Sequence, residues 1–210
     1  MSARSISRDA SPFERADSYE FGSRLWSEDR GQLSVAYYRM DVDDEIFFDP
    51  TSGPFGANIN FEKVRHQGLE TEFRLAPLPA GSALGLDFFG SYTYTRAVIL
   101  SDGLVGKKYP VTPAHMGHVG ATAQLERTYL TLLGRLVGRR FLINDFTNSS
   151  DTLGSYWLAD LKLGTQWHSL KPFFLVQNLF DRAYLDSGGT NQRFFPGAER
   201  SFLVGFEAEF

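Results

Sequence analysis

The sequence predicts an all-β protein made of antiparallel strands of the kind that cross a membrane as a barrel. Three observations carry that expectation. Hydrophobicity alternates with period two rather than 3.6, the signature of a sheet with two different faces. The alternating stretches run roughly 10–17 residues, longer than the soluble mode of about 5–6 and long enough for a bilayer. The connections between them alternate short and long, as in outer-membrane barrels, where periplasmic turns are short and extracellular loops long.

Nine strands are expected, at about 17–27, 30–49, 58–76, 83–99, 114–126, 128–142, 155–168, 171–181 and 200–210. The last is the clearest: Phe202, Val204, Phe206, Ala208 and Phe210 share one face, and Ser201, Gly205, Glu207 and Glu209 the other. Leu69, Thr71, Phe73 and Leu75 alternate with Glu70, Glu72 and Arg74, and Val119, Ala121 and Ala123 with His118, Thr122 and Gln124. Trp157, Ala159, Leu161 and Leu163 oppose Asp160, Lys162 and Gly164. Two stretches are irregular: Asp41–Glu45 breaks the second strand's pattern, and Phe173–Val176 is apolar on both faces. No helix-period segment competes.

Short links are expected at 27–30, 76–82, 126–127 and 167–170, and long ones at 49–57, 100–113, 143–154 and 181–199. This order places the C-terminus on the short-turn, periplasmic side. Tyr19, Tyr94, Trp157, Trp167 and Phe210 fall at strand ends on the apolar face, where interfacial aromatic girdles sit. The opposite face is charged and mixed, suited to a wet or plugged lumen. A soluble sheet with one buried face is the competing reading.

Composition excludes several function classes. The chain has 210 residues, no Cys and a net charge of −4, so there is no disulfide framework, no thiolate metal site and no basic block for nucleic acid. No run of about 18 apolar residues predicts a spanning helix. Met1–Asp17 lacks the apolar core of a signal peptide, and residues 1–16 are expected to be loop.

No catalytic constellation, cofactor site or metal site is predicted. His115 and His118 stand three apart, so on one strand they point to opposite faces. Asp41, Asp43, Asp44 and Glu45 have the grouped carboxylates that suit Ca²⁺, yet read better as a solvated strand end, as do Asn144, Asp145, Asn148 and Asp151 in a long loop. Neither a phosphate-binding Gly-Lys-Ser/Thr loop nor a Gly-x-Ser-x-Gly elbow occurs.

Three motifs bear a resemblance to a known family. Asn178-Leu179-Phe180-Asp181, then Tyr184, then Phe195-Pro196-Gly197-Ala198-Glu199-Arg200 before a strand ending in Phe210, resembles the C-terminal end of TonB-dependent outer-membrane receptors. The family's Pro-Gly-Arg is interrupted here by Ala198-Glu199. Asn58–Glu70 and Asp17–Gly22 are similar to upstream strands of the same family. Together the motifs run from about Phe13 to Phe210.

The resemblance implies a 22-stranded barrel with an N-terminal plug, importing a ferric siderophore or similarly large nutrient and driven by TonB through the plug. Neither plug nor TonB box is recognised in this sequence. Counted from the end, the nine strands would be the last nine of the barrel, and 17–210 its C-terminal part: a fragment, inactive alone. Residence in the outer membrane of a Gram-negative bacterium follows, with lipid and lipopolysaccharide as surroundings, and Phe210 as the signal for the barrel-assembly machinery. Ligand-facing candidates are the basic and aromatic loop residues Lys107, Lys108, Tyr109, Arg139, Arg140, Arg193 and Phe194, because Arg and aromatic groups suit anionic chelates. A self-contained small outer-membrane barrel (pore or enzyme) and a soluble β-sheet binding module are the alternatives.

Overall fold

The computed structural model describes residues 13–28, 30–101 and 103–208. Nine strands form one antiparallel sheet: β1 (Arg15–Ser27), β2 (Gly31–Asp49), β3 (Ala57–Leu75), β4 (Leu84–Ile99), β5 (His115–Leu125), β6 (Thr128–Val137), β7 (Tyr156–Thr165), β8 (Leu170–Gln177) and β11 (Ser201–Ala208). The remaining two, β9 (Leu185–Gly188) and β10 (Phe194–Pro196), pair with each other. The sheet order is β1-β2-β3-β4-β5-β6-β7-β8-β11, so each strand lies beside its neighbour in sequence until the chain leaves at Gln177 and returns at Ser201. β1 and β11 are its two edges and do not pair with one another.

The turns at one end are tight because the sequence supplies residues that accept the left-handed region. Glu126 (φ 51°) closes the two-residue link between β5 and β6, and His168 (φ 57°) helps close the one before β8, where Trp167 and Leu170 exchange backbone bonds. At the other end lie the long connections 50–56, 100–114, 138–155 and 178–200.

The two faces follow the predicted alternation. Across the middle of the sheet Leu33, Phe73, Gly90, Val119, Gly134 and Ala159 form one continuous rung of the apolar face. The next rung, on the other face, runs Glu72, Ser91, His118, Arg135. In the isolated chain the apolar side chains are bare: Val204 is 77% and Phe206 72% exposed. A surface of that kind is satisfied by lipid, and lipid also leaves the ladder bonds free of competition from water.

On the polar face, Tyr129, Gly164, Phe173 and Gly205 lie side by side across four strands. The Tyr129 and Phe173 rings cover the glycines beside them, where a Cβ would overlap the ring. Lys162 places its ammonium 4.6 Å from the Phe173 centroid, a cation–π contact over the same row.

The break at Asp41–Glu45 has a structural cause. Asp44 is left-handed (φ 58°), and its rung opposite Glu62 is missing from the ladder. The register does not slip, since Asp43 faces Lys63 and Glu45 faces Phe61. The side-chain alternation does change: buried positions pass from Val42 to Phe47 on β2, and from Val64 to Phe61 on β3.

Several expected boundaries shift. β1 starts at Arg15, inside the segment expected to be loop, and β6 stops at Val137 rather than 142. There the Gly138 N–H donates 2.7 Å to the His115 carbonyl, and Arg140 leaves the ladder to pair with Leu153. β8 ends at Gln177 rather than 181 because Asn178 (φ 50°) and Asp181 (φ 52°) turn the chain out of the sheet. The β9–β10 hairpin was not anticipated. Residues 1–12 and the terminal Phe210 lie outside the described residues.

Candidate ligand-recognition surface on the loop side

The long loops are packed together. Phe47, Phe61, Val64, Ala97, Ile99 and Tyr109 form a hydrophobic core at the loop end of β2–β4, with Phe146 from the next loop packed against it. The aromatic rings meet edge to face: Phe61 and Phe146 lie 5.3 Å apart, Phe61 and Tyr109 5.5 Å, Phe47 and Phe146 5.7 Å. Edge-to-face pairs at these distances are favoured by the ring quadrupoles.

A polar knot borders this core. His66 Nε2 lies 2.9 Å from Glu45 Oε2, and the His66 ring packs 5.3 Å from Tyr109. Burial pushes the Tyr109 phenol well above its ordinary range, and the negative charge of the nearby Glu45 carboxylate adds to the rise. The phenol is therefore a hydrogen-bond donor at any physiological pH.

Two asparagines tie the loops to one another, and one aspartate orders the loop that carries them. Asn148 Oδ1 accepts the Lys108 N–H at 2.6 Å while its Nδ2 donates to the Lys108 carbonyl at 3.0 Å, joining loops 138–155 and 100–114. Asn144 Nδ2 donates 2.9 Å to Thr51 Oγ1, and its Oδ1 accepts the Thr190 N–H at 2.7 Å, joining three loops. Asp145, 2% exposed, accepts from the N–H groups of Ser149 and Ser150 and shapes its own loop. These residues read in the sequence as solvated loop. The missed signal was the bonding capacity of Asn and Asp for nearby backbone, which here is spent between loops.

The family-like motif is a staple around the 178–200 excursion. Asn178, buried, donates through Nδ2 to the carbonyls of Arg182 (3.0 Å) and Ala198 (3.1 Å), accepts the Arg182 N–H (2.9 Å) and donates its own N–H to Asp160 Oδ1 (2.8 Å). Asp181 Oδ1 accepts the Arg200 N–H at 2.9 Å. Leu179 donates its N–H 2.7 Å to the Ala159 carbonyl. Phe180 meets Trp157 edge to face at 5.4 Å on the apolar side. The Tyr184 ring lies 4.4 Å from that of Tyr156, tilted by 38°, and covers Gly197, where a Cβ would overlap the Tyr184 ring.

The candidate ligand residues divide into two groups. Lys107 and Lys108 on one loop, Arg139 on a second, and Arg193 and Phe194 on a third are exposed. Tyr109 and Arg140 are buried, at 8% and 7% exposure. Arg140 holds β9 through Nη2, which donates to the Leu185 and Asp186 carbonyls, and its guanidinium lies 5.6 Å from the Tyr156 ring. Phe194 covers Gly188 across the β9–β10 hairpin. The structure thus presents cations on three loops whose mutual positions are set by the asparagine ties. His115 and His118 reach opposite faces, to Tyr92 and Ser91. The acidic stretch is paired: Asp41 with Arg39 and Arg65, Asp43 with Lys63 and Glu45 with His66.

A two-faced antiparallel sheet, with tight turns at one end and locked loops at the other, defines these as strands of the transmembrane β-barrel class. Over residues 9–179 it matches the family model described as TonB dependent receptor-like, beta-barrel; the chain belongs to that family, whose members reside in the Gram-negative outer membrane. It is 26% identical over 197 residues to the ferrichrome outer membrane transporter/phage receptor of Escherichia coli K12, covering 89% of this chain and 25% of that protein. Among solved structures it resembles the closed form of the ferric-catecholate import receptor Fiu from E. coli K12 (TM-score 0.73, 25% identity, 100% of this chain and 30% of that one). It shares its fold with the ferric yersiniabactin uptake receptor FyuA of Yersinia pestis (TM-score 0.73, 21% identity, 94% and 30%). The chain thus spans under a third of the length of these relatives.

Proposed function

We propose that these nine strands are the C-terminal portion of a larger TonB-dependent barrel that imports a ferric siderophore or a similar large chelate. The observation that carries this reading is the set of exposed cations, Lys107, Lys108, Arg139 and Arg193, with Phe194, on loops held together by Asn144 and Asn148. Preset loops lose little freedom when a ligand docks, and guanidinium groups suit oxygen-rich anionic chelates. The ferrichrome and ferric-catecholate names of the relatives favour a ferric cargo. In this reading the plug and the remaining strands complete the lumen, TonB acts through the plug, and Phe210 is the mark used by the assembly machinery. Alone, the nine strands would not transport.

Uptake of radioiron chelates by cells expressing the whole receptor tests this. Replacing Lys107, Lys108, Arg139 and Arg193 together by Ala is expected to abolish uptake of anionic ferric chelates while the barrel still reaches the outer membrane. Unchanged uptake across a panel of catecholate, hydroxamate and carboxylate chelates would overturn it.

A further inference from the structure

The apolar face carries a trough that the proposed import function does not use. Two neighbouring rungs cross there: Tyr92, Gly117, Leu136 and Trp157 on one, Gly90, Val119, Gly134 and Ala159 on the other. Gly117 and Gly134 put no side chain on the surface, so they form the floor of a depression of about 510 Å³ walled by Phe73, Tyr92, Val119, Leu136 and Trp157. Its loop-side end is cationic and aromatic. The Arg182 guanidinium lies 5.3 Å from the Trp157 ring, beside Phe180, and the Tyr92 hydroxyl and His115 Nδ1 are 2.7 Å apart along the same rim.

We infer that this trough seats an acyl chain of one phosphate-bearing lipid of the outer leaflet, with its phosphate on Arg182. The face is apolar and lies within the membrane, so hydrocarbon covers it. The Trp157 end of the trough lies one residue from the start of β7, on the loop side, which is extracellular in barrels of this topology. A cation held at that rim by an indole is placed at headgroup level, and it complements a phosphate rather than a neutral headgroup. The Arg182 backbone, not its guanidinium, makes the bonds with Asn178, so the cation is not spent on the staple.

The barrel containing these strands, purified from outer membranes in mild detergent, is the material for the test, with co-purified lipid measured by native mass spectrometry. A Cβ at Gly134 would sit 3.6 Å from the nearest atom, ordinary contact, so Gly134→Leu fills the trough without displacing backbone. Gly134→Leu and Arg182→Gln are each expected to reduce bound phosphate-bearing lipid several-fold, and Arg127→Gln at the opposite end to leave it unchanged. Lipid retained equally by all three variants overturns the proposal. So does lipid that stays constant while Gly134→Leu alters self-association, which would make the trough a protein interface. A measurement without trough variants uses Trp157 as the sole tryptophan, with Trp26, Trp167 and every tryptophan of the remaining barrel replaced by Phe. Its quenching by brominated acyl chains should fall on Arg182→Gln, and quenching identical with and without Arg182 counts against the site.

Discussion

Asn178 donates a hydrogen bond to the carbonyl of Ala198, twenty positions further along the chain, at 3.1 Å. The same side chain holds both ends of Arg182's peptide, so a single amide fixes where the chain leaves β8 and where it comes back as β11. Removing it takes the partner from three part-buried backbone groups, the Arg182 N–H and the carbonyls of Arg182 and Ala198, at up to about 1–3 kcal/mol for each one left unsatisfied. Asn178→Ala is therefore expected to lower barrel stability in detergent by about 2 kcal/mol or more. Hydrogen exchange should quicken in 198–208 before it does in β2–β4.

Tyr184 and Gly197 make a second closure of the same excursion. A methyl group at Gly197 would occupy ring space, so Gly197→Ala is expected to destabilise by about 1–3 kcal/mol, in the range of overpacking. If the ring is the cause, Tyr184→Ala should absorb most of that effect in a double-mutant cycle of unfolding midpoints. Strict additivity would place the strain elsewhere.

The loop core rests on Phe61, which is 1% exposed and touches Phe47, Tyr109 and Phe146. Phe61→Ala is expected to cost about 3–5 kcal/mol locally. The effect should be confined to the loop end: protease sites in 100–114 and 138–155 become accessible on intact cells while the heat-resistant migration of the barrel persists.

Tyr109 supplies a pH signature. Its phenol is neutral in both folded and unfolded chains below the ordinary value of 10.0, so the loop assembly should be indifferent to pH there. Above that value the unfolded chain releases the proton and the buried phenol does not. Stability is then lost progressively as pH rises from the ordinary value toward the raised one. Alkaline titration of loop proteolysis should show softening in that window, and Tyr109→Phe should remove it.

Much of the architecture was legible. Period-two alternation and link lengths placed all nine strands of the main sheet, since a strand with one lipid face must repeat every second residue and a two-residue link leaves the chain no other path. The motif at Asn178 was legible as a pattern, and its purpose as a staple was not. Its partners at Asp160, Ala198 and Arg200 are set by the pairing of β8 with β7 and β11, not by local sequence. The loops were harder still: Tyr109 and Arg140 share the composition of Lys107 and Arg139, yet two are buried and two exposed.

The sequence by itself determined the class of sheet, the direction of its strands and which face meets lipid, because these follow from side-chain order along a backbone of fixed period. Only the tertiary structure decided which loop residues are available to a ligand and where the lipid face is hollow. Both depend on neighbours far apart in the chain: Asn144 meets Thr51 and Thr190, and Gly134 lies beside Val119. No local pattern encodes those meetings, because the register of the sheet brings them about.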